Sequence, residues 1–336
     1  MLRWSFFVSL SLLTLINFTS SCNNQTEESS EFSEIHSKPP FSSITDSLKI
    51  NSSDAGIYYR RGLLLMKNNY PDAALADFQK AWSLSQKEEY GVAISNILLV
   101  NQPDSAIRFL KDALLKIPSS LFFKLNLGQA YYDQNKLDEA LKITSDILAS
   151  EPTLINALIM KSDILEKTNN KTEALKTLEK AYELAPFDVE LSYDLAFKYA
   201  ENKNPKALVL TDSLLRMDTS ESHAEPYYIK GTYFANTGNQ QKALHFFTQA
   251  IQHDYYFLDA YLEKGRILYE QKKFSEAAQV FQLAATVTPT FADAYYWLGK
   301  CQEAMNQKEE AKLNYQRAYG LDKTLTEAKA DAERLQ

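Results

Sequence analysis

Residues 258–291 read LDAYLEKGRILYEQKKFSEAAQVFQLAATVTPTF, and this 34-residue stretch carries the pattern that decides the fold. Gly265 precedes Ala277 by twelve residues, and Ala284 follows Ala277 by seven. Small residues at this spacing allow two antiparallel helices to approach closely, while larger apolar residues fill the space beside them. Pro289 marks the end of the second helix, because a proline cannot continue it. The stretch is therefore predicted to form a pair of helices.

The same pattern recurs along most of the chain. An alanine equivalent to Ala277 returns every 32 to 36 residues, and most copies have a small residue twelve positions earlier. One helix pair cannot bury its apolar faces alone, so successive pairs must stack. The sequence predicts about eight pairs, at residues 55–88, 89–120, 121–154, 155–188, 189–223, 224–257, 258–291 and 292–325.

This period and its small residues resemble the tetratricopeptide repeat (TPR) family, most clearly at residues 258–291. The resemblance implies an all-α fold, a right-handed α-solenoid of about eight TPR units over residues 55–325. The units at 89–120 and 189–223 are degenerate, which leaves their boundaries open.

Both ends of the array show signs of a covering helix. At the C-terminus, Leu325, Ala328, Ala332 and Leu335 share one face with charged residues between them, which predicts a capping helix over residues 326–336. Before the first unit, the apolar residues of 44–50 predict a partial helix over the first pair.

The N-terminus has the features of a signal peptide, predicted over residues 1–21. Arg3 precedes a mostly apolar stretch from Trp4 to Ile16. These thirteen residues would span about 20 Å as a helix, whereas a bilayer core needs about 30 Å. The segment therefore fits a cleaved signal better than a membrane anchor.

The residues Thr19-Ser20-Ser21-Cys22 resemble the lipobox of bacterial lipoproteins, although the family usually has leucine where Thr19 stands. The resemblance implies lipid attachment at Cys22 and, with Asn23 next to it, an outer-membrane lipoprotein on the periplasmic or the surface face. The polar residues 22–54 are then expected to form a flexible tether. The alternative is an ordinary secretory signal in which Cys22 is incidental.

Composition and motifs argue against several other classes of function. Lys and Arg total 36 against 43 Asp and Glu, a net charge of −7, which disfavours nucleic acid as a partner. The sequence contains no GxGxxG, GxxxxGK[ST], GxSxG or HExxH motif. We therefore expect no catalytic site, no cofactor and no metal. Cys301 fits a small core position better than a reactive thiol.

In the TPR family, the first helix of each unit lines the concave face. The TPR subset that binds chaperones holds a C-terminal carboxylate with Lys and Asn there, and this chain lacks that set. Its lining is aromatic and apolar, which predicts an extended apolar or helical peptide as ligand, although some of the tyrosines are expected to be buried between helices. The family's groove positions fall on Tyr59, Phe122, Leu125, Tyr132, Tyr193, Phe197, Tyr228, Tyr269 and Tyr296.

These features predict a non-enzymatic protein-binding scaffold in the cell envelope that assists the assembly or function of an envelope or secretion complex. The sequence leaves the partner open. Two alternatives remain beside it. One is an envelope enzyme or glycan-binding protein that uses the solenoid as a frame. The other is a structural lipoprotein that self-associates into a homo-oligomer.

Overall fold

The computed structural model describes residues 32–217 and 223–335, and every regular element in these two ranges is an α-helix. The predicted all-α fold is therefore confirmed. The signal peptide of residues 1–21 and the lipidated Cys22 lie outside the described residues. The chain divides into two units within one helix, between residues 97 and 98.

The first unit contains two short helices followed by one helix pair. Asp54 caps the first helix of the pair, accepting hydrogen bonds from the amides of Gly56 (2.8 Å) and Ile57 (3.3 Å). Pro71 is the first residue of the second helix, where its missing N–H is not needed. The helices are α1 (Ser33–Ser37), α2 (Ser42–Ile50), α3 (Ala55–Lys67), α4 (Pro71–Leu84) and the beginning of α5 (Glu88–Asn101).

The flexible tether predicted over residues 22–54 is wrong for its C-terminal part. From residue 33 the chain forms α1 and α2, and α2, which includes the partial helix predicted over residues 44–50, contacts α3. Phe41 and Leu48 are buried, whereas Ile50 is exposed. The segment is mostly polar, so its composition alone does not indicate that Phe41 and Leu48 are buried. Their burial stabilises α2 against the first helix pair.

The second unit contains the rest of α5 and all the helices that follow it. Each second helix contacts the first helix of the following pair, as in α8 with α9 and α16 with α17. The helices are α6 (Pro103–Lys116), α7 (Leu121–Asp133), α8 (Leu137–Ser150), α9 (Ile155–Lys167), α10 (Lys171–Leu184), α11 (Val189–Glu201), α12 (Lys206–Met217), α13 (Glu225–Asn236), α14 (Gln240–His253), α15 (Leu258–Glu270), α16 (Phe274–Val287), α17 (Ala292–Ala304), α18 (Lys308–Leu321) and α19 (Thr326–Arg334).

The predicted close approach of paired helices is confirmed at the glycines. A Cβ atom added to Gly265 would lie 2.4 Å from the ring of Phe281, and one added to Gly231 would lie 2.5 Å from the ring of Phe247. Each ring comes from the partner helix, sixteen residues later in the chain. The glycine therefore provides the space that the aromatic ring fills.

The tight turns within pairs depend on a residue in the left-handed region. Asn69 has φ 63°, and the amide of Tyr70 donates to the carbonyl of Leu65 at 3.0 Å. This arrangement is a Schellman motif, which satisfies carbonyl groups at the end of the helix. Asn135 and Asn169 occupy the same place after α7 and α9.

Helix α19 lies where the C-terminal capping helix is predicted. It buries Ala328 and Ala332, and Leu335, which follows the helix, is partly buried against the cluster that contains Ala332. Arg334 of α19 donates to both carboxylate oxygens of Glu303 on α17, at 2.6 and 2.8 Å. The cap is therefore fastened by both apolar packing and an ion pair.

Candidate partner-binding face

The first helices of the second unit share one surface. Helices α7 and α9, α11 and α13, and α15 and α17 contact each other directly. Lys198 on α11 pairs with Glu166 on α9 at 3.9 Å. The ring of Tyr228 on α13 lies 5.1 Å from that of Phe257, the residue that precedes α15. We call this surface the first-helix face, and it carries eight of the nine predicted groove residues.

Tyr59 is the ninth predicted groove residue and belongs to the first unit. It is half-buried, with its ring 5.5 Å from that of Phe78 and 4.8 Å from that of Tyr90. Burial raises the pKa of the Tyr59 hydroxyl, with a further contribution from Glu89. Tyr59 thus takes part in the packing of the first helix pair.

Helix α7 carries the most exposed aromatic residue of the predicted groove. Phe122 is 59% exposed, whereas Leu125 and Tyr132 on the same helix are half-buried. The ammonium nitrogen of Lys167 on α9 lies 3.6 Å from the centroid of the Tyr132 ring, a cation–π contact. Of the three predicted groove residues on α7, Phe122 therefore offers the most apolar surface to a partner.

The middle of the first-helix face holds a continuous aromatic cluster. Phe197 on α11 stacks on Tyr228 of α13, with 6.1 Å between ring centroids and 12° between planes. Tyr228 also contacts Phe247 at 5.6 Å and Phe257 at 5.1 Å. Burial, together with the nearby carboxylate of Asp259, raises the pKa of Tyr228 to about 12. We call Phe197, Tyr228 and Phe257 the aromatic step.

Tyr193 lies one turn before Phe197 on α11 and is half-buried. Its ring is 6.4 Å from that of His223. The aromatic surface therefore continues from the aromatic step toward the N-terminus of α11.

At the other end of the face, the predicted tyrosines pack against aromatic and capping residues. The ring of Tyr269 meets that of Trp297 edge-on at 5.6 Å. Tyr296 contacts Tyr315 at 5.8 Å and packs against the cluster of Ala311, Tyr315 and Ala332, which also holds Leu335 at the end of α19. Burial raises the pKa of both Tyr269 and Tyr296. The capping helix thus covers part of this end.

Two aromatic residues of the face, Phe257 and Trp297, were not identified from the sequence. Phe257 precedes α15 and therefore lies outside the helical positions that the family uses for its groove. Trp297 directly follows Tyr296, and adjacent helix residues are not expected on one face. Their large rings reach neighbouring helices, which the sequence spacing alone does not show.

Three carboxylates that form no ion pair lie on the first helices α9, α11 and α15. Asp163 on α9, Asp194 on α11 and Asp259 on α15 are exposed, and none forms an ion pair with another residue of the described ranges. Although the residues are exposed, the neighbouring helices desolvate their carboxyl groups in part and raise the pKa of Asp163 and of Asp194. The charge of Asp194 raises the pKa of Asp163 further, whereas Lys198 lowers the pKa of both. The aromatic step therefore lies in a negative field.

Several bases near this cluster are already engaged with acids. Lys198 lies 3.9 Å from Glu166 and 3.2 Å from Glu201, and Arg266 lies 3.0 Å from Glu263. Lys198 also lowers the pKa of Asp163 and Asp194, and Lys167 lowers that of Asp163, so these bases offset part of the negative charge. The acids near the aromatic step still outnumber the bases.

No feature of the described residues suggests reactive chemistry at this face. Within residues 32–217 and 223–335, no three His, Cys, Asp or Glu side chains come together as metal ligands. Cys301 is fully buried, and burial raises the pKa of its thiol to about 12. A thiol of this kind has little thiolate and is inert. The face offers apolar surface, aromatic rings and charge, which are features that bind other molecules.

Three family models match parts of the chain. A model described as "Tetratricopeptide repeat" matches residues 55–88, 155–188 and 292–325. A second model with that description matches residues 98–160. A third, described as "TPR repeat", matches residues 265–306. Together the matched ranges cover more than half of the 336 residues.

Two solved structures share the fold. A tetratricopeptide repeat protein from Parabacteroides merdae ATCC 43184 is 20% identical with a TM-score of 0.60, and the match covers 75% of this chain and 99% of that one. Yeast Tom70 is 18% identical with a TM-score of 0.58, and the match covers 80% of this chain and 60% of that one. Likeness at this level of identity concerns the fold alone.

A curated relative is considerably longer than this chain. The DnaJ homolog subfamily C member 7 homolog of Schizosaccharomyces pombe is 23% identical over 213 residues, which is 62% of this chain. The chain spans 40% of that relative's own length.

Proposed function

Because the chain belongs to the tetratricopeptide repeat family, whose members serve as protein-interaction scaffolds, we propose that it binds a protein or peptide partner along the first-helix face. The observation that carries the proposal is the aromatic step, together with the exposed ring of Phe122. Aromatic side chains give a large contact area for little lost rotamer freedom, and a few such anchors dominate most interfaces.

The test replaces the exposed Phe122 together with Tyr193, which packs at the edge of the core cluster that includes Leu191 and Leu195. Phe122 is exposed and Tyr193 is half-buried, so the double variant F122A/Y193A should retain its fold. The matched control is L115A/V209A, which removes two exposed apolar side chains from the second helices α6 and α12. Circular dichroism checks that both variants keep their helices.

Each variant is then crosslinked in intact cell envelopes, and partners are recovered by pulldown. We expect F122A/Y193A to lose partners, since truncating an interface anchor costs about 2 kcal/mol or more. The control should recover partners at the level of the unchanged chain. If the folded groove variant keeps every partner while the control loses them, the second helices are the binding surface instead.

We further propose that the chain is a lipoprotein tethered to the outer membrane through Cys22, and that it assists an envelope or secretion complex there. Support comes from the lipobox-like residues before Cys22 and the short apolar segment that precedes them. In the described ranges, no helix combines the length and apolar character needed to cross a bilayer. A covalent lipid would supply the attachment.

The change C22A tests the anchor. We expect it to abolish metabolic labelling with palmitate and to release the chain from the membrane fraction. Labelling that persists in the variant would overturn the lipoprotein proposal and favour an ordinary secretory signal. Light scattering of the purified chain tests the remaining alternative: we expect a monomeric mass, and a multiple of it would favour self-association.

A further inference from the structure

The middle of the first-helix face combines apolar and acidic groups, and this combination specifies the chemistry of its occupant. We infer that this section binds a basic peptide segment, which places an apolar or aromatic side chain on the aromatic step and an arginine or lysine beside Asp163 and Asp194. The inference rests on the proposed function, because it names the partner class for the same face.

The aromatic step gives the apolar half of the subsite. Phe197, Tyr228 and Phe257 come from three successive first-helix segments and contact each other in sequence, at 6.1 and 5.1 Å. All three residues are only half-buried, so the rings keep accessible surface although they pack on one another. A flat apolar or aromatic side chain can therefore cover them without displacing a core residue.

The carboxylates give the charged half. Asp194 precedes Phe197 by three residues on α11, a spacing that places two side chains on the same side of a helix about 5 to 6 Å apart. Desolvation by the neighbouring helices is the main cause that raises the pKa of Asp163, the charge of Asp194 raises it further, and Lys198 lowers it. A basic side chain of a partner beside both carboxylates would stabilise their ionised forms.

The spacing of the two halves fits neighbouring residues of one segment. An extended chain advances about 3.3 Å per residue, and a helix brings residues three or four apart to within about 6 Å. In either conformation, one apolar residue and one base within four positions of each other can reach both halves together. The occupant is thus a short motif and not a single amino acid.

The charges also disfavour the opposite occupant. An acidic peptide or a free C-terminal carboxylate needs available bases, but Lys198 is held by Glu166 and Glu201. Arg266 is held by Glu263, and the ammonium group of Lys167 lies over the Tyr132 ring. Such a ligand would meet three unpaired aspartates first, and like charges at an interface are repulsive.

The test uses random twelve-residue peptides displayed on phage, panned at low ionic strength against the immobilised full chain. We expect enrichment of peptides with Arg or Lys within four positions of Trp, Tyr, Phe or Leu. Two selected peptides are then synthesised with a fluorescein label, each beside a version in which Gln replaces every base. Fluorescence anisotropy measures the affinity of each.

Two charge variants separate the site from the general acidity of the chain. D163N/D194N removes two charges from the site and preserves side-chain shape. D112N/D146N removes two exposed charges from the second helices α6 and α8. We expect roughly a tenfold loss of affinity in D163N/D194N, on the scale of a close charge pair, and little change in D112N/D146N. The Gln peptides should bind equally weakly to all three chains.

A third variant, F197A, distinguishes failure of this inference from failure of the proposed function. If F197A loses binding but D163N/D194N does not, the face binds peptides and the basic occupant is wrong. Selection of acidic peptides overturns the basic occupant as well. If neither variant changes the affinity, or if panning selects no peptide, the first-helix face is not the peptide site and both proposals fall.

Discussion

The two units each use an arginine to fasten a terminal helix, but the two arginines differ in burial. In the first unit, Arg61 of α3 donates to both carboxylate oxygens of Asp77 on α4, at 2.7 and 2.8 Å, and to the hydroxyl of Thr45 on α2 at 3.1 Å. In the second unit, Arg334 makes the same two-bond contact with Glu303. The side chains are 1% and 4% exposed in the first pair, but 50% and 26% exposed in the second.

The two ion pairs have similar geometry, but their loss should affect stability differently because one is buried and the other is exposed. Removing one partner of the buried pair leaves a charge without compensation in a medium of low polarity. Removing one partner of the exposed pair leaves a charge that water and salt can screen. The first unit should therefore depend on its ion pair, whereas the second should depend mainly on the apolar packing of α19.

The largest expected effect is the loss of Asp77. D77A should destabilise α3 and α4 by about 3 to 5 kcal/mol, because it leaves the charge of Arg61 buried without its carboxylate. Hydrogen exchange of the α3 and α4 amides measures this locally, which suits a repeat chain that need not unfold as one unit. R60M, which changes the exposed neighbour, is the matched control.

A double variant separates two quantities: the destabilisation caused by one unpaired buried charge, and the stabilisation that the intact ion pair provides. R61M/D77L replaces both charges with apolar side chains and should recover most of the loss, because a buried ion pair adds little over good packing. A double variant as unstable as D77A would mean that the specific hydrogen bonds, including the one to Thr45, stabilise the first unit.

The glycine contacts test whether the two units share the same packing apart from their ion pairs. An added Cβ would lie 2.5 Å from the Phe78 ring at Gly62 and 2.7 Å from the Tyr315 ring at Gly299. G62A and G299A should each cost about 1 to 3 kcal/mol, as overpacked cores do. G320A is the control, since nothing lies within 4 Å of its added Cβ and alanine favours the helix. Unequal losses would show that packing also differs between the units.

A smaller effect is expected for the exposed pair. R334A should destabilise α19 far less than D77A destabilises α3 and α4, because water solvates the carboxylate that remains. The loss should shrink as salt is added, because screening weakens the pair in the unchanged chain. Hydrogen exchange of the α17 to α19 amides in low and high salt provides the measurement. A loss comparable to that of D77A would contradict the role given to burial.

The exposed pair also predicts a dependence on pH. Hydrogen bonds from Arg334 and Tyr315 lower the pKa of Glu303 from 4.5 to about 2. A lowered pKa in the folded state contributes stability above the ordinary value, and that contribution is lost as pH falls from 4.5 toward 2. We expect E303Q to remove this slope from the exchange of α19, and an unchanged slope would assign it to other carboxylates.

The fold was predictable because its signal repeats. The small residues and alanines return with one period. Ile94, which stands twelve residues before Ala106 where most copies have a small residue, is a single departure that does not alter the predicted fold. The ion pair of Arg61 and Asp77 was not predicted, because it occurs once and is not part of the pattern that recurs from repeat to repeat. A signal did exist: Arg61 and Asp77 are sixteen residues apart, as are Gly62 and Phe78, whose close contact follows from the pairing of the helices.

The candidate site was predictable in part. The family positions led to Phe197 and Tyr228, which meet in the structure. They also led to Tyr296, which packs toward the capping helix. Phe197 and Tyr228 differ from Tyr296 in the helices that pack around them. The position of a residue within its own repeat does not indicate these neighbours. The unpaired state of Asp163 and Asp194 likewise depends on which bases the packing commits elsewhere.

Site-specific photocrosslinking can show whether a partner binds the first-helix face in the cell. A benzophenone amino acid is placed at Tyr193 on α11 in one chain and at Val209 on α12 in another, and intact cells that produce these chains are irradiated. Both positions reach solvent, and they lie on the first and the second helix of one pair. We expect a crosslinked partner from position 193 and none from position 209. Crosslinking from position 209 alone would mean that the partner binds the second helices instead.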